Sequence, residues 1–203
     1  MPEAVQFYFD FISPYAYLAS QRIDEIARRH GRSVDWRPIL LGVTMLKVMG
    51  LKAVPDTPLK GPYAAHDWPR FARLLGLPNA PRANLHLPPL PPLRAFTWLK
   101  DSDPALAVRF AKAIFLAHWG EGRDMSDPDR LIAEAGLMGI DRAALRTAIG
   151  SEPVKARLES HVDAAIAEPG IGLELMIRGQ ARPATVVPLP FVPHNYVRQK
   201  KNA

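Results

Sequence analysis

Ser13 stands where an alternating apolar run gives way to a helical one, and its hydroxyl is the first group in the chain placed to do chemistry. Val5, Phe7, Phe9 and Phe11 alternate with Gln6, Tyr8 and Asp10, the two-residue period of a strand. Pro14 then opens a run with Leu18, Ala19, Arg22, Ile23 and Ile26 at helical spacing, with Gly31 as a plausible stop. Ser13 is thereby predicted to be the N-cap of a first helix. Its Oγ lies among unpaired backbone N–H groups at the positive end of the helix dipole, a setting that favours a thiolate or carboxylate. Ser-Pro is also among the commonest ordinary helix starts, with serine capping and proline at the first helical position.

The elements that must position this group follow from the pattern downstream. Val34 to Leu41 reads as a second strand, giving β-α-β at the N-terminus. A short crossover makes such strands parallel and puts the Ser13 turn at the carboxyl end of the first strand, the edge where open α/β sheets bind ligands. Residues 51–62 read as loop, with a helix from Tyr63 to Leu75 carrying Trp68 and Phe71. Six prolines between residues 78 and 92 predict an extended connection. Helices are expected at 92–101, 104–118, 127–136, 141–149 and 152–167, several introduced by Asp-Pro or Ser-Asp-Pro caps. The last 36 residues offer only short apolar runs, 172–177 and 184–187, from which any further strands must come.

Composition narrows the chemistry. The 203 residues contain no cysteine, so disulfides, thiolate metal ligands and cysteine nucleophiles are excluded, and any thiol must come from outside. The six histidines show no paired ligand spacing, so no metal site is expected. A net charge of +6 comes from Lys and Arg scattered among acids, with one basic cluster at Arg198-Gln199-Lys200-Lys201; this predicts affinity for small anions and no nucleic-acid partner. No apolar run reaches membrane-span length and no signal pattern opens the chain, so a soluble cytoplasmic protein with no membrane partner is expected.

Five stretches in order carry a resemblance: Phe9-Asp10-Phe11-Ile12-Ser13-Pro14-Tyr15, Trp36-Arg37-Pro38-Ile39-Leu40-Leu41-Gly42, Thr57-Pro58-Leu59-Lys60, Leu93-Arg94-Ala95, and Trp119 through Pro128. Together they resemble the 2-hydroxychromene-2-carboxylate isomerases, relatives of kappa-class glutathione transferases in the DsbA-like branch of the thioredoxin superfamily. The resemblance implies an α/β, thioredoxin-like (DsbA-like) sheet core with a large all-helical insertion. Residues 1–50 would form the N-terminal β-α-β part, 51–150 the helical insertion, and 151–203 the return to the core, with an atypical tail from about residue 168. Ser-Pro-Tyr-Ala looks like a Cys-x-x-Cys motif with both sulfurs replaced, at Ser13 and Ala16.

The family's activity is then the expectation. Glutathione is the implied cofactor, held by Ser13, Pro14, Tyr15, Lys60 and Pro183, with Ser13 activating or positioning its thiol as the catalytic residue. The thiolate adds to the conjugated enone of a ring-opened aromatic 2-oxo acid, allows rotation and leaves. This small aromatic carboxylate would be bound by Met45, Lys60 and Asn84, in aromatic-compound catabolism, by a homodimer. Met45 also fits a core residue, Lys60 a solvated lysine, and Asn84 a loop cap. The Trp119–Asp124 stretch reads as structural: a buried Trp, turning glycines, and an Asp or Ser capping the next helix.

Past Ala167 the family's remaining motifs are missing: a Gly-Val-Phe-Gly-x-Pro segment with its cis-proline, an Asp-Gly hairpin, and a Trp-Gly-x-Asp-Arg segment. Arg182-Pro183-Ala184-Thr185 is the nearest substitute. The abrupt loss favours an altered C-terminus over a divergent completion of the sheet. Two other functions stay open: a kappa-like glutathione transferase, which would consume glutathione, and a non-catalytic thioredoxin-like binding protein.

Overall fold

The computed structural model describes residues 3–81 and 87–167, together with the backbone of two strands at 172–177 and 180–185. The chain divides into two compact units, Met1–Ile166 and Ala167–Ala203.

In the first unit β1 (Val5–Phe9) pairs in parallel with β2 (Val34–Pro38), Phe7 standing opposite Trp36 and Phe9 opposite Pro38. Between them the chain forms two helices, α1 (Pro14–Ser20) and α2 (Ile23–Arg29), where the spacing predicts one. The break follows Ser20, a fully buried residue whose hydroxyl donates to Tyr17 O at 2.7 Å. Such back-bonding to an upstream carbonyl bends a helix. Arg22 N–H then bonds Ala19 O at 3.0 Å, a tighter spacing than the α ladder, and Arg22 O starts the next helix by accepting from Ile26.

β2 ends three residues earlier than its apolar pattern predicts. Ile39 N–H still reaches Phe9 O at 2.9 Å, but Leu41 N–H turns to a side chain, the carboxylate of Asp10. A π-helical segment, Gly42–Val48, follows. Helix α3 (Lys60–Leu74) begins three residues before the expected position and continues through Pro69. It closes where Leu77 N–H bonds back to Ala72 O beside Gly76, whose φ of 66° suits a glycine C-terminal stop. The helices α4 (Leu90–Ser102), α5 (Pro104–Phe115), α6 (Pro128–Leu137), α7 (Arg142–Gly150) and α8 (Glu152–Ala167) lie within two residues of expectation at each end, except that α5 gives way to a π-helical turn at Leu116–Gly120. The caps behave as their side chains require: Asp103, Asp127 and Asp141 each accept an N–H from the first turn of the helix they precede.

The core sits where the strand face meets α4 and α5. Phe9 is the hub, edge-on to Phe96 at 4.9 Å, Trp36 at 5.4 Å and Phe11 at 5.4 Å between ring centroids. Edge-to-face geometry suits the ring quadrupoles, and burial of so many aromatic rings is the main force holding the sheet to the helices. Lys100 on α4 ties the same elements at their rim, donating to Asp35 Oδ1 at 2.6 Å and to Trp36 O at 2.7 Å.

In the second unit β3 (Gly172–Ile177) and β4 (Gln180–Thr185) form an antiparallel hairpin. The first matches its predicted apolar run; the second lies earlier than 184–187. Pro183 stands in β4 opposite Glu174.

Candidate active site around Ser13

Ser13 has the backbone of an N-cap, φ −96° and ψ 116°, and its Oγ accepts the Ala16 N–H at 3.1 Å. That bond uses the oxygen as acceptor and leaves the hydroxyl proton available to donate to an anion. Helix α1 is only seven residues long, so its dipole is smaller than the sequence pattern implies, and the hydroxyl itself becomes the principal polar group at this turn.

Two long-range bonds and two local ones hold the loop that carries Ser13. Trp119, 5% exposed, donates from Nε1 to Phe11 O at 2.8 Å. The Asp10 carboxylate accepts from Ile12 N–H at 3.2 Å and from Leu41 N–H at 2.9 Å, while Asp10 O accepts from Ser13 N–H at 3.1 Å. Asp10 is itself 1% exposed; burial pushes its carboxyl up from 3.8 to about 6 against the opposing pull of the Leu41, Ile12 and Phe11 amides.

Pro14 occupies the first turn of α1 and Tyr15 follows it. The Tyr15 hydroxyl donates to Asp67 Oδ2 at 3.0 Å, binding α1 to α3. Partial burial, then this hydrogen bond and the Asp67 charge, push the phenol up to about 12, so it remains a protonated donor through the physiological range. An open groove of about 320 Å³ is lined by Tyr15, Leu18 and Ile23 on one side and by Phe71 and Leu75 on the other. Tyr15→Phe is expected to cost about 1–2 kcal/mol in urea unfolding, because the buried Asp67 oxygen loses its donor; an unchanged midpoint would show that the bond does not matter to the fold.

Lys60 is exposed and heads α3, the helix that packs on α1. The turn before it is tight: Leu59 adopts φ 68° and ψ −49°, and Lys60 N–H bonds Pro58 O at 2.8 Å. This is a γ-turn of the rare, strained kind, made by a leucine that is 87% exposed. A Cβ on Gly61 would lie 2.4 Å from Pro55 O, so the close return of this loop requires glycine there.

Met45 is half-buried in the π-helical segment that begins just past Leu41, the residue tied to Asp10. Pro183 belongs to the second unit, and Asn84 lies outside the described residues. The structure thus gathers Ser13, Pro14 and Tyr15 with two residues that the pattern analysis did not single out for the site, Asp10 and Asp67. Neither carried a signal in the sequence: the two-residue alternation puts Asp10 on the face opposite Phe9 and Phe11, and Asp67 lies 52 residues from the tyrosine it accepts from. The Trp119 region has the structural role its residues suggest, with Gly122 at φ 70° and Asp127 capping α6. Among the described residues no group of three or more His, Cys, Asp or Glu is placed to hold a metal ion, and no helix is long and apolar enough to cross a membrane.

Comparison with known proteins identifies the family and the fold. The model of the DSBA-like thioredoxin domain matches residues 4–171. A 2-hydroxychromene-2-carboxylate isomerase of Pseudomonas sp. (strain C18) is 30% identical over 179 residues, 86% of this chain and 81% of that protein. Glutathione S-transferase kappa 1 of Homo sapiens is 23% identical over 185 residues, 87% of this chain and 81% of that one. A solved 2-hydroxychromene-2-carboxylate isomerase superposes with a TM-score of 0.70 at 30% identity, covering 81% of this chain and 79% of its own. With a DsbA-like domain matching most of its length and a serine at the head of α1, the chain belongs to the 2-hydroxychromene-2-carboxylate isomerase family of DSBA-like thioredoxin-domain proteins.

Proposed function

We propose that this chain is a glutathione-dependent isomerase of 2-hydroxychromene-2-carboxylate or a similar aromatic 2-oxo acid, serving aromatic-compound catabolism. The observation that carries the reading is the Ser13 hydroxyl, which accepts from its own helix through Oγ and keeps its proton for a bound anion. This fits a thiolate: the chain has no cysteine of its own, and the neighbouring Tyr15 hydroxyl is already committed to Asp67. Bound glutathione would supply a thiolate that adds reversibly to the enone, turns its double bond into a rotatable single bond, and leaves unchanged.

The chain's own residues then have separable tasks. Ser13 donates to the sulfur and lowers the cost of its charge. Tyr15 keeps α1 seated on α3, the helix headed by Lys60, and Lys60 offers a cation to a carboxylate of glutathione or substrate. Met45 contributes an adaptable apolar wall toward the ring. Pro14, Asn84 and Pro183 complete the proposed contacts, and a cytoplasmic homodimer is part of the same reading, its assembly testable by light scattering.

Calorimetric titration with reduced glutathione, followed by turnover of chromene carboxylates, tests the proposal. Glutathione should bind and be recovered in full after the reaction. Its consumption would point instead to the kappa-like transferase, to which the human relative's name gives support. Absence of binding by the folded chain would leave the non-catalytic binding protein, the reading favoured by the missing C-terminal motifs. Lys60→Ala is expected to weaken carboxylate-ligand affinity by up to about fivefold, the range of an exposed ion pair, with stability unchanged. Equal affinities for the two proteins would remove Lys60 from the site.

A further inference from the structure

The buried carboxyl of Asp10 serves two stretches of chain that are remote in sequence. Oδ1 accepts from Ile12 N–H at 3.2 Å, inside the loop of Ser13. Oδ2 accepts from Leu41 N–H at 2.9 Å, where β2 leaves the sheet for the segment that bears Met45. The backbone oxygen of the same residue accepts from Ser13 N–H. Ion pairing does not explain an acid at this position: its carboxylate accepts from the backbone amides of Ile12 and Leu41, and among the described residues no charged side chain pairs with it.

We propose that Asp10 is a positioning residue: its ionised carboxylate clips the Ser13 loop to the Leu41–Val48 segment and holds the thiol side and the ring side of the site at a fixed separation. The ligand chemistry in this statement rests on the function proposed above; the clip itself does not. Two N–H donors arriving on two different oxygens require an acceptor on both sides of the group, which an ionised carboxylate provides and an amide does not. In Asp10→Asn the side-chain NH2 would face one of the two backbone N–H groups, so one arm of the clip opens while the volume is kept. Protonation weakens the clip, because the hydroxyl oxygen of a neutral carboxyl is a poorer acceptor than a carboxylate oxygen and carries an O–H donor of its own.

The test uses the whole chain, first without ligand. In NMR spectra recorded from acid to neutral pH, the amide signals of Ile12 and Leu41 should move together with one midpoint near 6, the value to which burial lifts Asp10, and should stop titrating in Asp10→Asn. By calorimetry the wild-type affinity for glutathione should fall through the same midpoint as the solution is acidified. Asp10→Asn should bind about tenfold more weakly at neutral pH, as expected for a lost hydrogen bond to a charged group, and show no inflection near 6. A residue that only supports the fold would lower stability and leave the pH profile of binding in place. Independent titration of the two amides, or wild-type pH dependence in Asp10→Asn, overturns the proposal. A wild-type chain that binds no glutathione refutes the functional reading, and the amide titration then still decides the clip. Should Asp10→Asn not fold, the wild-type amide midpoints decide it.

Discussion

Ser13→Ala is expected to lower glutathione-dependent turnover by about 10²- to 10³-fold, the cost of removing one hydrogen-bond donor from a charge that the reaction must stabilise. The fold should lose only about 1 kcal/mol, the usual effect of deleting a serine N-cap. The two losses have different origins, and Ser13→Asn separates them. Asparagine caps helices as well as serine does, so it should restore the unfolding midpoint by accepting from Ala16 N–H as Ser13 Oγ does. It presents an amide where the reaction needs a hydroxyl close to sulfur, so turnover should remain low. Should Ser13→Ala keep wild-type turnover at a lowered unfolding midpoint, Ser13 is a cap and nothing more, and the thiol site must be sought elsewhere.

The second large effect concerns pH. Asp10 carries a folded-state pKa of about 6 against an ordinary 3.8, because its burial disfavours the charge more than three backbone amides favour it. A carboxyl raised in the folded state binds protons more tightly there than in the unfolded chain. Its contribution to stability is therefore fully present below pH 3.8 and is lost as pH rises through about 6. A shift of this size corresponds to about 3 kcal/mol at 1.36 kcal/mol per unit. Urea unfolding of wild type and Asp10→Asn across this range should show the wild type gaining by up to that amount as pH falls from neutral to 4, since the amide does not titrate. A difference between the two that stays flat with pH would rule out a buried, titrating Asp10. At neutral pH the protein thus holds a charge that costs it stability. Retaining a costly group beside the proposed thiol site is the pattern expected where positioning outweighs stability.

These two residues also show how differently parts of one site can be read. The helical segments from residue 90 onward were legible because each is long, periodic and opened by its own proline or aspartate cap; those signals lie within a few residues of the element they start. The first helix is shorter than its pattern predicts because its break depends on Ser20 being buried and turned back onto Tyr17 O, a matter of environment rather than pattern. β2 ends before its apolar pattern does for a related reason. Ile39, Leu40 and Leu41 look like strand, yet the Leu41 amide is taken by an acid from the neighbouring strand's end. α3 starts before its pattern predicts because it lies behind a strained leucine turn that no propensity favours.

What the sequence determined by itself was local or compositional. Ser13 caps α1 because its Oγ need reach only three residues ahead, and a cysteine-free chain must borrow any thiol it uses. The family could be read from five ordered motifs, since motifs are strings. Tertiary structure decided what surrounds Ser13: Leu41 is 31 residues from Asp10, Asp67 is 52 from Tyr15, and Trp119 is 108 from Phe11. Each of those bonds joins groups that no local preference brings together. They form because packing the aromatic face of β1 against α4 and α5 removes water from the loop beyond it, and every polar group left there must find a partner within the protein.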